Sequence, residues 1–169
     1  RILWFIHLRW LAAAGTLATL LFGNLVLKLG APFVPLLGLV AFLGLYNLVC
    51  QLVAKGARLH ESPGSVRRSS LFANLQIALD LIALTLLLHY SGGAENPFAF
   101  YFIFHIIIAS ILLSPRATYL QSLLAIVLFN GMAVAEGTGL ISHIHLRNFL
   151  PVELNGTDYV LALQAVFTT

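Results

Sequence analysis

The stretch LFANLQIALDLIALTLLLHY, residues 71–90, decides the fold class of this chain. Within it, Asp80 is the one acidic residue, and most other positions are leucine, isoleucine or alanine. An α-helix needs about 20 such residues to cross a hydrocarbon core about 30 Å thick. The stretch therefore predicts a transmembrane helix.

Similar apolar runs lie on both sides of this stretch, at 10–27, 33–54, 98–114, 117–135 and 158–169. The whole chain is 60% hydrophobic and 9% charged, whereas soluble domains are about 45–50% apolar and about 25% charged. These runs predict an all-α membrane bundle of six transmembrane helices, forming one transmembrane domain over residues 1–169. The short loops leave no room for a soluble catalytic domain, so we expect the segment itself to be non-catalytic. Membrane lipid is an expected partner and nucleic acid is not.

The two ends of the chain suggest a piece of a longer protein. The last run has 13 residues from Thr157 to the end, a helix of about 20 Å. That length is too short for the hydrocarbon core, so we expect the sixth helix to be truncated. The chain also begins with Arg1 instead of Met.

The distribution of basic residues predicts the orientation. If six spans alternate, seven basic residues fall on one side and two, Lys28 and Arg147, on the other. The seven are Arg1, Arg9, Lys55, Arg58, Arg67, Arg68 and Arg116. Loops rich in Lys and Arg stay in the cytoplasm, which places both termini there. Arg9 lies inside an apolar run, and we expect its long side chain to reach the headgroups.

The segment that joins the third and fourth runs, His89 to Phe98, reads HYSGGAENPF. One interpretation is a tight turn, because Gly92 and Gly93 permit a positive φ and Pro97 suits the first position of a helix. The other interpretation is a ligand site. Backbone N–H groups at the start of the fourth helix can donate hydrogen bonds, and the neighbouring aromatic residues can hold a flat ring.

The seven residues Gly92-Gly-Ala-Glu-Asn-Pro-Phe98 resemble the Gly-Gly-x-x-Asn-Pro-Phe heptapeptide of the Reg/Prr-type redox-sensing histidine kinases. Leu8-Arg-Trp10 and the Ile-rich stretch from Phe102 to Arg116 also resemble the six-helix sensor domain of a wider group of bacterial histidine kinases. The resemblance extends over essentially the whole chain.

The resemblance implies the membrane sensor domain of a two-component histidine kinase, in the bacterial inner membrane. It further implies ubiquinone or a related quinone as the ligand and a homodimer. A cytoplasmic kinase region would follow the sixth helix and act on a response regulator. The redox-active cysteine of that family belongs to the cytoplasmic region, so Cys50, within the second run, is not given its role.

For the quinone we expect a site at the loop and the fourth helix. Gly92 and Gly93 lack side chains that would block the ligand, Asn96 can donate to a carbonyl, and Phe98 can stack on the ring. The full predicted set is Gly92, Gly93, Glu95, Asn96, Pro97, Phe98, Tyr101 and His105. Phe98, Tyr101 and His105 share one helical face by their spacing. His105 either donates to the quinone or satisfies a partner on a helix.

Two polar residues, Gln76 and Asp80, lie one turn apart within the third run. A carboxylate in hydrocarbon is costly, so we expect Asp80 to be protonated or hydrogen-bonded. We prefer an interhelical polar clamp to a role in binding protons or ligand. His89 and Asp80 point to opposite sides of the helix. We expect His89 to be exposed to water at the membrane surface.

The remaining polar residues favour no further site. Glu136 is expected to mark the membrane boundary at the end of the fifth run. His143 and His145 form a His-x-His pair that could bind a metal with Glu136 or Glu153, but without an established third ligand we expect no metal.

Two other functions are compatible with a small apolar bundle. A haem b electron-transfer subunit needs two histidines at similar depth on facing helices, whereas His89 and His105 differ by about 10 Å in depth. A small transporter typically has broken helices and repeated halves, and the sequence has no convincing internal repeat.

Overall fold

The computed structural model describes residues 2–56 and 65–144, and these residues form helices joined by short turns, with no strand among them. The five long elements are α1 (Ile2–Leu25), α2 (Phe33–Gly56), α3 (Ser65–Tyr90), α4 (Tyr101–Leu112) and α5 (Pro115–Gly137). Two single 3₁₀ turns, Gly93–Glu95 and Pro97–Phe100, connect α3 to α4. The all-α prediction is confirmed. The predicted sixth helix lies outside the described residues.

Four of the helices are long and apolar enough to cross a membrane. They contain the candidate spans Leu8–Leu25, Phe33–Val53, Ser70–Tyr90 and Pro115–Gly137. The fourth predicted run is also helical, but its apolar helix, Pro97–Leu112, is shorter. Its 16 residues extend about 24 Å along the helix axis, less than the hydrocarbon core of about 30 Å. Large apolar side chains such as Val34 and Tyr119 are about four-fifths exposed (80% and 77%), which suits a surface that faces lipid.

The helices pack as two groups. The first group is the hairpin of α1 and α2, and the second is α3, α4 and α5, which pack on one another. Contacts between α2 and α3 join the groups. The buried core lies in the second group, where Ala109 of α4 and Ala133 of α5 are fully buried and the rings of Phe102 and Phe129 meet edge to face. Small residues at such positions let helix backbones approach closely.

A polar contact also ties α3 to α5. The side chain of Gln121 is buried and donates from Nε2 to the backbone carbonyl of Asn74 at 3.0 Å. Gln76, on the same helix as Asn74, is buried too, and its amide has no hydrogen-bond partner among the described residues. The sequence spacing of Gln76 and Asp80 suggested a shared clamp, but Gln76 takes no part in the contacts of Asp80 described below.

Candidate functional site

The loop between α3 and α4 is a tight turn held by Asn96. Its side-chain Oδ1 accepts a hydrogen bond from the backbone N–H of Phe98 at 2.9 Å, which caps the helical turn that starts at Pro97. Its Nδ2 donates to the backbone carbonyl and to Oγ of Ser91, at 2.7 and 2.6 Å. The turn interpretation of the heptapeptide is confirmed. The two amide hydrogens predicted to reach a quinone carbonyl are used within the loop.

The two glycines of the heptapeptide have backbone conformations that favour glycine. Both are buried, and both have positive φ, 109° at Gly92 and 59° at Gly93. A Cβ atom at Gly93 would overlap with the carboxylate of Glu136, which projects from α5. Glycine is therefore required at 93 by the backbone conformation and by the close approach of a neighbouring helix. A role for these glycines in admitting a ligand stays a prediction.

Glu136 lies at the centre of a polar cluster beneath this loop. Its side chain has no exposed surface, and Oε1 lies 2.6 Å from Nδ1 of His89, at the end of α3. Oε2 lies 3.0 Å from Nδ1 of His143, in the segment after α5. A buried carboxylate needs hydrogen-bond donors to offset its lost hydration, and the two imidazoles supply them.

This cluster corrects one prediction. His89 is not a water-exposed residue at the surface, because the end of α3 packs against the end of α5 and leaves its side chain only 15% exposed. Glu136 lies at the end of α5, as expected, and is buried there. His145 and Glu153 lie outside the described residues. Among the residues that the structure describes, no three His, Cys, Asp or Glu side chains have an arrangement that could hold a metal ion.

A cavity of about 780 Å³ lies between α1 and α4, with α3 between them. Five of the eight predicted quinone residues line it, together with Asp80: Asn96, Pro97, Phe98, Tyr101 and His105. Gly92 and Gly93 do not line the cavity, and the Glu95 side chain lies outside the described structure. Phe98, Tyr101 and His105, which the spacing predicts on one helical face, all line the cavity.

The two walls of the cavity differ in shape. The α4 wall carries four aromatic rings, which lie 4.9 to 6.5 Å from their neighbours, centre to centre. They belong to Phe98, Phe100, Tyr101 and Phe104. The α1 wall is built mainly from small residues, such as Ala12, Gly15 and Gly23. An aromatic wall facing a small-residue wall leaves a flat space suited to a ring or an alkyl chain.

Asp80 faces Arg9 at the end of the cavity farthest from the loop. Arg9 Nη2 of α1 donates to Asp80 Oδ1 of α3 at 2.6 Å, and both side chains are about nine-tenths buried (9% and 8% exposed). The guanidinium also lies 4.4 Å from the ring centre of Tyr46 in α2, a cation–π distance. The polar clamp predicted at Asp80 exists, and its partner is Arg9.

Arg9 therefore does not reach the headgroups as expected. The sequence did contain a sign of this pairing. Arg9 lies in an apolar run, and an ionisable residue inside a membrane span usually pairs with another polar group. The sequence analysis missed both Arg9 and Tyr46 as members of this cluster.

His105 lies at the same inner end of the cavity as the ion pair. Its Nδ1 lies 2.9 Å from the Tyr101 carbonyl one turn earlier in α4, and His105 and Asp80 line the same cavity. The hydrogen bond to its own helix fixes the ring orientation, and His105 lines the cavity. Both roles considered for His105, a helix partner and a ligand contact, are compatible with this position.

Comparison with known proteins gives one family. The family model of the PilS-like transmembrane domain, 6TM_PilS, matches residues 1–162. No curated protein and no solved structure matches the chain significantly. The matched region includes all five described helices, the heptapeptide loop and the cavity, and it covers nearly the whole chain. The chain therefore belongs to the family of PilS-like transmembrane domains, multi-pass membrane domains of the sensor-kinase type.

Proposed function

We propose that this domain is the sensing part of a histidine kinase and that it detects redox state through a quinone bound in the cavity between α1 and α4. The observation that supports the proposal is the cavity itself, which brings the heptapeptide residues Asn96 to Phe98 together with intramembrane polar groups. Its volume of about 780 Å³ lies within the range of typical small-molecule sites.

The shape of the cavity suits a ring with an apolar tail. The lining residues of α1 run from Leu8 to Asn24, a length of about 24 Å along the helix. Most of the lining is aliphatic or aromatic, with a few polar groups, as in most sites for small apolar ligands. A quinone reaches such a site from the bilayer without crossing water.

The position of the cavity suggests how a signal arises. The cavity separates the α1–α2 hairpin from the group of α3, α4 and α5, so its occupant contacts both groups. The oxidised and reduced ligand would have to favour different arrangements of these groups, since a ligand with equal affinity for both shifts no equilibrium. The proposal also includes a cytoplasmic kinase region, the response regulator on which that region acts, and a homodimer of the protein.

The haem alternative finds no support in the described histidines. His89 pairs with Glu136 on the α5 side of α3, whereas His105 lines the cavity on the other side. These two histidines do not face a common site, and bis-histidine ligation requires that they do. Asp80, an intramembrane carboxyl of the kind that transporters use as proton relays, is paired with Arg9.

A matched pair of cavity variants tests the proposal. Ala12 and Ala14 are both exposed on α1, but Ala12 lines the cavity and Ala14 does not. Ala12→Leu should fill part of the cavity and weaken binding of a short-tailed quinone about tenfold or more, the equivalent of roughly 1–3 kcal/mol of steric conflict. Ala14→Leu should leave the affinity unchanged.

The measurement is a fluorescence or calorimetric titration of the protein in lipid nanodiscs. Thermal unfolding of both variants checks that each is folded. If wild type does not bind the quinone, or if folded Ala12→Leu binds it as tightly as wild type does, the cavity is not a quinone site.

A further inference from the structure

The two ends of the cavity differ in the hydrogen bonds that they offer. At the loop end, the Asn96 side chain is hydrogen-bonded to Ser91 and to the Phe98 backbone, and Pro97 has no N–H. Gly93 faces Glu136 of α5, and neither Gly92 nor Gly93 lines the cavity. The loop end presents the rings of Phe98 and Phe100 and one neutral amide, that of Asn24 at the end of α1, whose Nδ2 has no hydrogen-bond partner among the described residues.

The inner end carries charge and hydrogen-bonding groups. Arg9, Asp80 and His105 all line the cavity there. A guanidinium has five N–H donors and a carboxylate accepts about four hydrogen bonds, so each of these groups can make more hydrogen bonds than the one at 2.6 Å that joins them. The hydrogen bond between Nδ1 of His105 and the Tyr101 carbonyl leaves Nε2 as the ring nitrogen that can meet a ligand.

We propose that the polar head group of the ligand binds at this inner end, between His105 and the Arg9–Asp80 pair, and not at the heptapeptide loop. The apolar remainder of the ligand then lies along the aromatic wall toward the loop. This inference rests on the proposed function, and it assigns the head-group contacts to residues outside the heptapeptide. The ligand class is a lipid-soluble ring that carries hydrogen-bonding oxygens.

The chemistry of the three side chains suits both redox forms of such a ring. A carbonyl oxygen accepts only, and Arg9 can donate to it. A ring hydroxyl donates as well, and either Asp80 or Nε2 of neutral His105 can accept its hydrogen. Because Arg9 and Asp80 join α1 to α3, a head group that takes one hydrogen bond from this pair changes the link between the two helix groups.

Two aromatic residues with polar atoms provide a matched test. His105 lies at the inner end of the cavity, whereas Tyr119 of α5 is 77% exposed and does not line the cavity. His105→Phe and Tyr119→Phe each remove polar atoms and keep an aromatic ring. We expect His105→Phe to weaken binding of a short-tailed quinone about tenfold, the scale of one buried hydrogen bond. Tyr119→Phe should change the affinity less than about twofold.

A photoreactive quinone with its azide on the ring locates the head group directly in the wild-type protein. We expect crosslinks in peptides that contain Arg9, Asp80 or His105. Because neither Arg9 nor Asp80 is altered, this measurement does not depend on variants that disturb the ion pair. Unfolding curves should show that His105→Phe is as stable as wild type, since His105 is only half-buried.

The outcomes separate this inference from the proposed function. If wild type binds no quinone, the proposed function fails. If wild type binds quinone but the crosslinks lie in residues 91–98, or if folded His105→Phe binds as tightly as wild type, the proposed function stands and the inner head-group site is wrong.

Discussion

At the scale of single residues, the buried Arg9–Asp80 pair is costly to disturb. Both side chains are buried beside an apolar cavity, so each charge depends on the other to offset its lost hydration. Hydrogen bonds between neutral groups in membranes average only about 0.6 kcal/mol, whereas leaving one buried charge unpaired costs roughly 3–5 kcal/mol. We therefore expect the unpaired charge to account for most of the stability that single variants of this pair lose.

We expect Asp80→Leu to destabilise the domain strongly, because the buried charge of Arg9 would lose the carboxylate that balances it. Asp80→Asn should be less harmful, since an amide oxygen still accepts from Arg9. The double variant Arg9→Leu with Asp80→Leu should unfold at a higher temperature than Asp80→Leu alone, because it removes both charges. Thermal unfolding in detergent measures all three.

Two results would contradict this account of the pair. Equal melting temperatures for Asp80→Asn and Asp80→Leu would show that the hydrogen bond contributes nothing. A double variant no more stable than Asp80→Leu would show that the unpaired charge is not the source of the loss.

At the scale of elements, two sets of contacts hold the α3–α4 loop in place. Asn96 makes hydrogen bonds within the loop, to Ser91 and to the Phe98 backbone, and the Glu136 carboxylate at the end of α5 packs against Gly93. Glu136 in turn contacts His89 of α3 and His143 of the following segment. One buried carboxylate thus brings together three parts of the chain at the loop end of the bundle.

The contribution of this packing can be isolated with two glycines. Gly93 and Gly139 have similar positive φ angles, 59° and 73°, but a Cβ at Gly139 meets nothing within 4 Å. Gly139→Ala should therefore cost only the backbone strain, about 1–2 kcal/mol. Gly93→Ala should cost clearly more, because it also displaces the Glu136 carboxylate. Chemical or thermal unfolding of the two variants compares the costs, and equal losses would mean that the packing against Glu136 is unimportant.

At the scale of the whole molecule, the orientation in the membrane remains a prediction from the basic residues. Arg9 is paired inside the bundle and no longer counts as a loop charge. Six basic residues then lie on the predicted cytoplasmic side of the membrane and two on the other side. The positive-inside rule still places the 57–64 linker in the cytoplasm and the heptapeptide loop outside.

Cysteine labelling tests this orientation. In a background with Cys50→Ala, a cysteine at Leu140, which is 81% exposed, should react with an impermeant reagent on intact cells. A cysteine at Ser62 in the linker should react only after the membrane is made permeable. The reverse pattern would overturn the orientation and place the loop end of the cavity on the cytoplasmic side.

Several properties of the molecule followed from local sequence. The length of the apolar runs determined the membrane class and the positions of the first five helices, because a helix must satisfy its own backbone hydrogen bonds in lipid. The pattern Gly-Gly-x-x-Asn-Pro predicted the turn between α3 and α4, since positive φ and the fixed φ of proline are local properties.

The contacts between helices were decided only by the tertiary structure. Arg9 and Asp80 are 71 residues apart, and His89 and Glu136 are 47 apart. To pair them, one must know how each helix is rotated about its axis and which helices are neighbours. In a soluble protein the apolar stripe of a helix gives its rotation. These helices are apolar on nearly every face because lipid surrounds the bundle, so that stripe is absent and only the packing selects the inward-facing residues.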